Sequence, residues 1–306
     1  MQQIIANIIN NVESVIRGKR DAIEAVLAVL ICGGHVLVED VPGVGKTRLV
    51  VALAKSINAS CGRIQFTPDV LPSDVTGFSM FNPKTREFEY RPGVIMNEFL
   101  LGDEINRTSP KTQSSLLEAM EERQVTIDGT TYPLPEMFMV MATQNPIENT
   151  STSPLPEAQL DRFLMKISIG YPDARDELEI LFNSQHEQDE IKTVAQVDDI
   201  LELRRSLKDV HISRPLAAYI VTLVAETRRH ENVQLGASVR GTLALAQVAK
   251  ASALLDSREY VIPDDIHRWL NAVLSHRMIL KRGAAQHRIT IKQVLDEIKQ
   301  SLRVPK

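Results

Sequence analysis

The chain has 306 residues, 43% hydrophobic and 24% charged, which is enough apolar material for one large domain or two smaller ones and too much for a disordered chain. Its 35 basic and 39 acidic side chains leave a net charge of −4, without the broad basic surface that binds a nucleic-acid backbone. The longest apolar run, 25–32, is eight residues, far short of the roughly 18–20 that cross a bilayer.

Taken in chain order, residues 1–11 alternate Ile with Asn and Gln and show no basic cluster ahead of an apolar stretch, so no secretory leader is expected. Cys32 and Cys61 make neither a disulfide framework nor a zinc knuckle, and the cytoplasm is the expected compartment. Strands are predicted at 35–39, 63–66, 98–101, 137–142 and 163–169, alternating with helical segments, which is the pattern of a parallel α/β sheet. Two hairpins interrupt it: 78–90 around an Asn82-Pro83 turn, and 125–132 around Asp128-Gly129. Ser109 and Pro110 are predicted to open a helix with Leu116, Leu117 and Met120 on its apolar stripe; Glu118, Glu121 and Glu122 lie off that stripe, on a solvated or subunit-facing surface. After Gly170-Tyr171-Pro172-Asp173 the chain reads as helix after helix, so the boundary falls between domains 1–172 and 173–306.

The densest chemistry is Asp40-Val41-Pro42-Gly43-Val44-Gly45-Lys46-Thr47-Arg48, between a strand and a helix. Loop amides and a helix N-terminus there would cradle phosphate, with Lys46 reaching the β/γ oxygens and Thr47 ligating Mg²⁺. Asp40 stands where the full pattern has its first glycine; an ordinary glycine turn capping a helix is the plainer alternative. A second apolar strand ends in Asp103-Glu104. In a nucleotide-hydrolysing site Asp103 would hold hydrated Mg²⁺ and Glu104 would orient or deprotonate the attacking water; an acidic pair at a strand end can also simply cap a turn.

With these motifs, the words at 34–39, 63–69, 71–77, 103–107, 110–114, 117–122, 142–146, 155–163 and 236–240 resemble the AAA+ ATPases, and more closely their MoxR family, over nearly the whole chain. The resemblance implies a three-layer α/β P-loop domain followed by an all-α lid, binding ATP and Mg²⁺. It gives Asn145 the sensor-1 role at the γ-phosphate or attacking water, Arg162 that of an arginine finger reaching a neighbour's site, and Arg240 that of sensor 2. Gly18, in Val15-Ile16-Arg17-Gly18-Lys19, takes a place in the adenine pocket, although the family usually has an apolar residue at Arg17 and Gln at Lys19. Family members often have Pro at Val239. The hairpins resemble the helix-2 insert (about 77–93) and the pre-sensor-1 hairpin (about 123–135), whose aromatics could grip a polypeptide or only pack the hairpin. The implied activity is Mg²⁺-dependent ATP hydrolysis by a homo-oligomer, a hexameric ring, remodelling partner proteins alongside von Willebrand factor A domain proteins; no protein substrate is visible. A nucleic-acid motor and a non-hydrolysing scaffold are the alternatives. The acidic balance opposes the first, and Glu104, Asn145 and Arg162 oppose the second.

Overall fold

The computed structural model describes residues 2–40, 43–145, 155–171, 174, 177, 178 and 191–305. Among these, the chain forms β1 (Val36–Glu39) and β2 (Cys61–Gln65), then, after a hairpin of β3 (Gly77–Asn82) and β4 (Glu87–Pro92), β5 (Phe99–Asp103). A second hairpin, β6 (Gln124–Ile127) with β7 (Thr130–Pro133), precedes β8 (Met139–Gln144) and β9 (Met165–Ile167). The central sheet has the order β2-β5-β8-β1-β9 and every pairing in it is parallel. Asp128 and Gly129 both adopt left-handed backbone in the β6–β7 turn, the conformation a two-residue hairpin requires.

Side chains alternate across a strand, so a sheet covered on both faces buries both sets. Val36, Val38, Leu101, Met139 and Met141 pack against α1 (Gln2–Glu13), α2 (Arg20–Cys32) and α3 (Lys46–Ser56). Leu37, Leu100, Val140 and Ala142 face the other way, onto α4 (Pro72–Thr76) and α5 (Pro110–Glu122), meeting Val75, Leu116, Leu117 and Met120. Ser109 caps α5 by accepting from Thr112 N, and Pro110 opens it. A short helix, α6 (Glu157–Leu160), precedes β9.

The C-terminal part contains α7 (Val197–Ser206), α8 (Arg214–Thr227), α9 (Val239–Leu255), α10 (Pro263–Leu274), α11 (Arg282–Gln286) and α12 (Ile291–Ser301). It is not wholly helical: β10 (Val233–Leu235) pairs antiparallel with β11 (Ile279–Leu280), and segments of three and two residues are too short to show alternation in sequence. α2 is buried from Ala22 to Cys32 and packs against both α7 and α9, so the sheet's first face and the helical lid share one apolar core. The predicted boundary, Pro172 and Asp173, lies outside the described residues.

His35, at the foot of β1, is buried; its Nδ1 accepts from Val140 N at 3.0 Å, leaving Nε2–H to donate to Met120 O at 3.3 Å. Burial, helped by the nearby Arg123 charge, pushes its pKa down to about 3. The unfolded imidazole takes a proton near pH 6.5 and the folded one does not, so stability present above 6.5 is lost as pH falls toward 3, at about 1.4 kcal/mol per unit. We expect its NMR signals to keep the neutral form at pH 5 while the urea midpoint drops between pH 7 and 5. A His35 titration between pH 6 and 7 would contradict this.

Candidate functional site

The C-terminal ends of β1, β5 and β8 meet the start of α3 around a cavity of about 370 Å³, walled by Gly43, Gly45, Lys46, Thr47 and Arg48 on one side and Asp103, Glu104 and Asn145 on the other. Gly43 and Gly45 have φ of +88° and +89°, and a Cβ built at either meets nothing within 4 Å. Left-handed residues in such a loop turn successive amides toward one side, as an anion cradle needs. Val44 turns its side chain into the core and has only backbone to offer; Pro42 lies outside the described residues. Lys46 Nζ donates to the Asp40 carbonyl at 2.8 Å. Burial lowers its pKa, opposed by the charges of Asp40, Asp103 and Glu104.

Asp40 explains its own departure from the glycine pattern. Its carboxylate accepts from Ser168 Oγ at 3.0 Å, from Ile169 N, and from Gly170 N at 3.1 Å. The carboxylate oxygens are thus satisfied by the chain leaving β9, while the charge still favours the Lys46 ammonium.

Asp103 and Glu104 diverge because Glu104 adopts left-handed backbone, φ 56° and ψ 51°. That conformation costs an ordinary residue roughly 1–2 kcal/mol. Thr143 supports the turn, its Oγ1 accepting from Glu104 N at 2.9 Å. Arg63 Nε donates to Asp103 at 2.9 Å; Gln65 Nε2 and Arg107 Nη1 both donate to Glu104 Oε2 at 2.8 Å. Buried Asn145 follows β8 at the same rim. A hydroxyl from Thr47 and a carboxylate from Asp103 are hard oxygen donors lining one cavity, the type of set that suits Mg²⁺.

Gly18 does not line this cavity. It sits between α1 and α2 with φ +67°, and its neighbour Lys19 donates to Tyr171 O at 2.6 Å. That ties the turn to the same post-β9 segment that Asp40 holds.

Arg162 and Arg240 do not line it either. The structure instead brings them to one another: Glu121, on the last turn of α5, accepts from Arg162 Nε at 2.7 Å and from Arg240 Nη2 at 3.0 Å. The two arginines are held there by the lid. Arg277, buried, donates from Nε to Asp161 Oδ1 at 2.6 Å and from Nη2 to Phe163 O at 2.7 Å, while His276 Nε2 donates to Phe163 O at 2.9 Å. Ser238, the N-cap of α9, donates to Asp161 Oδ2 at 3.3 Å and accepts from Arg240 N.

Comparison with known proteins fits this geometry. Residues 35–165 match the model described as "ATPase family associated with various cellular activities (AAA)", and 225–298 match "AAA lid domain". A solved structure from Cytophaga hutchinsonii aligns with a TM-score of 0.94 at 40% identity, over 100% of this chain and 96% of that one. The chain is 51% identical to the protein YeaC of Bacillus subtilis, over 100% of this chain and 96% of the relative. It is 39% identical to "Chaperone MoxR1" of Mycobacterium tuberculosis, over 96% of this chain and 80% of the relative. The chain belongs to the MoxR family of AAA+ ATPases.

In this MoxR-family chain, sequence reasoning missed the residues that hold the acidic pair. Arg63 and Gln65 alternate along β2 beside β5, with Gln65 in register with Asp103, so the strand pairing was the signal that could have found them. Thr143 lies just past the apolar run of β8, where periodicity gives no signal. Glu121 lies at the surface, and its two arginine partners are 41 and 119 residues away, so no local pattern announces them.

Proposed function

We propose that this MoxR-type chain hydrolyses ATP in a Mg²⁺-dependent site that one copy leaves unfinished and a neighbouring copy completes. One observation carries this reading: the lysine, threonine, carboxylates and Asn145 line a single cavity, whereas Arg162 and Arg240 stand together elsewhere on the same chain. A loop of amides with Lys46 binds the β- and γ-phosphates. Thr47 and Asp103 would hold Mg²⁺, which neutralises charge on the phosphate oxygens. Glu104 orients the attacking water and takes its proton as the water oxygen bonds to the γ-phosphorus and the bridge to ADP breaks. Asn145 hydrogen-bonds the water or the γ-phosphate. Arg162 and Arg240 of the adjacent copy neutralise the transferring phosphoryl group.

Such a dependence on neighbours fits a closed ring, which we propose is a hexamer working in the cytoplasm. Remodelling or maturation of partner proteins is supported by the similarity to a relative called a chaperone; a von Willebrand factor A domain protein is the partner that the family resemblance implies. The β3–β4 hairpin leaves Phe78, Phe81 and Phe88 exposed, and these suit contact with a polypeptide. Among the described residues no helix is long and apolar enough to cross a membrane.

The test is phosphate release per chain across a dilution series, read beside sedimentation. Turnover per chain should rise with association; equal turnover in isolated and associated chains would overturn the reading.

A further inference from the structure

Three segments converge on one carboxylate. Glu121 belongs to α5, Arg162 to the turn before β9, and Arg240 to the first turn of the lid helix α9. The two guanidinium groups carry like charge, and without an anion between them they would repel and splay. The way each is gripped matters as much as the charge. Glu121 takes Arg162 by Nε, which leaves both Nη groups outside that bond, and takes Arg240 by Nη2, which leaves its Nη1 outside. A guanidinium has five N–H donors in a fixed fork, so fixing one edge sets the direction of the others.

The pair is also bound to its surroundings asymmetrically. Arg162 is flanked by Asp161 and Phe163, both clamped by Arg277 of the lid, while Arg240 follows the N-cap Ser238, which touches the same Asp161. Glu121 is the point at which the sheet domain's own helix enters this arrangement. The Arg162 hydrogen bond, with the charges of Arg162 and Arg240, holds its carboxyl below the usual carboxylate range, so it stays ionised in neutral solution.

We infer that Glu121 is a positioning residue for catalysis in the adjacent copy: it spaces and aims Arg162 and Arg240 as one unit toward the neighbour's triphosphate. This rests on the trans-acting reading above. Glu121 itself touches neither nucleotide nor water. Its loss should therefore be felt in kcat, with the KM for ATP, set largely by the Lys46 loop of the copy that binds it, nearly unchanged. Glu121→Gln keeps the size but turns one acceptor into an N–H₂ donor facing a guanidinium; we expect kcat to fall about tenfold or more and KM to move less than about twofold. In an Arg162→Ala, Arg240→Ala background the same change should cost less than about twofold, because residues acting through one another are not additive.

Mixed assemblies separate this inference from the one beneath it. Arg162→Ala chains keep an intact pocket, and Lys46→Ala chains keep their arginines, so mixing the two should restore turnover. Adding Glu121→Gln to the Lys46→Ala donor should cut the restored turnover about tenfold, whereas on the Arg162→Ala acceptor, which has no Arg162 left to aim, it should have no such effect. No restoration in the simple mixture overturns the trans-acting reading itself. Restoration that is indifferent to Glu121→Gln on the donor, or equally sensitive to it on either chain, overturns the role of Glu121 alone. Sedimentation and thermal midpoint confirm assembly of each variant; a Gln variant that does not assemble is replaced by Glu121→Asp, which keeps the charge on a shorter stem and should show the same donor-only loss.

Discussion

Glu104→Gln is expected to stop ATP turnover while leaving nucleotide binding in place. The side chain is held by Gln65 and Arg107 donating to one carboxylate oxygen, and an amide oxygen can accept both bonds. The substitution therefore keeps size, hydrogen bonds and the left-handed turn at the strand end, and removes only the ability to take a proton from water. Loss of a positioned general base costs about 10²–10⁴ in rate. ATP affinity rests on the Lys46 loop and should change little. Equilibrium binding of a fluorescent ATP analogue together with single-turnover phosphate release checks both halves. Turnover within about threefold of the parent chain would remove Glu104 from the chemistry.

The second large effect is expected from Arg162→Ala. A guanidinium delivered to the γ-phosphoryl group is worth about 10³–10⁵ in rate in better-studied systems, and the homogeneous variant should lose most of it with ATP binding intact. The loss should be a property of the assembly: chains with a normal Arg162 beside an intact pocket recover activity. Unchanged turnover in homogeneous Arg162→Ala assemblies would defeat the assignment. The fold itself should survive, because Asp161, Phe163 and Leu164 keep their bonds to Arg277.

Much of the sheet was legible in the sequence, since β1, β5 and β8 each carry an apolar run. The ends were not. The predicted 137–142 became Met139–Gln144, and 98–101 became Phe99–Asp103. In both cases the ladder continues past the apolar residues into polar ones, because backbone pairing with a neighbouring strand ignores side-chain polarity. Those polar ends are the ones that build the site, so a reading of hydrophobic periodicity stops just short of it. The phosphate loop was legible for the opposite reason: its glycines, Lys46 and Thr47 are contiguous, and the chemistry is local.

What stayed hidden was long-range. Nothing in the spacing of His276 and Arg277 shows that they grip the segment carrying Arg162, more than a hundred residues earlier. Nor does the sequence show that Arg240 joins Arg162 and not Lys46. A sensor role gives a residue its chemistry without saying which copy's nucleotide it meets; that depends on where the lid lands, and the lid lands through the buried length of α2.

Asp40 has a mechanical consequence. Its carbonyl receives Lys46 and its carboxylate holds the backbone at 169 and 170, the stretch to which Lys19 is also fastened through Tyr171. A glycine in that place could do only the first. With aspartate, one amino acid couples the lysine of the phosphate loop to the chain leaving β9, so a displacement at either place is felt at the other.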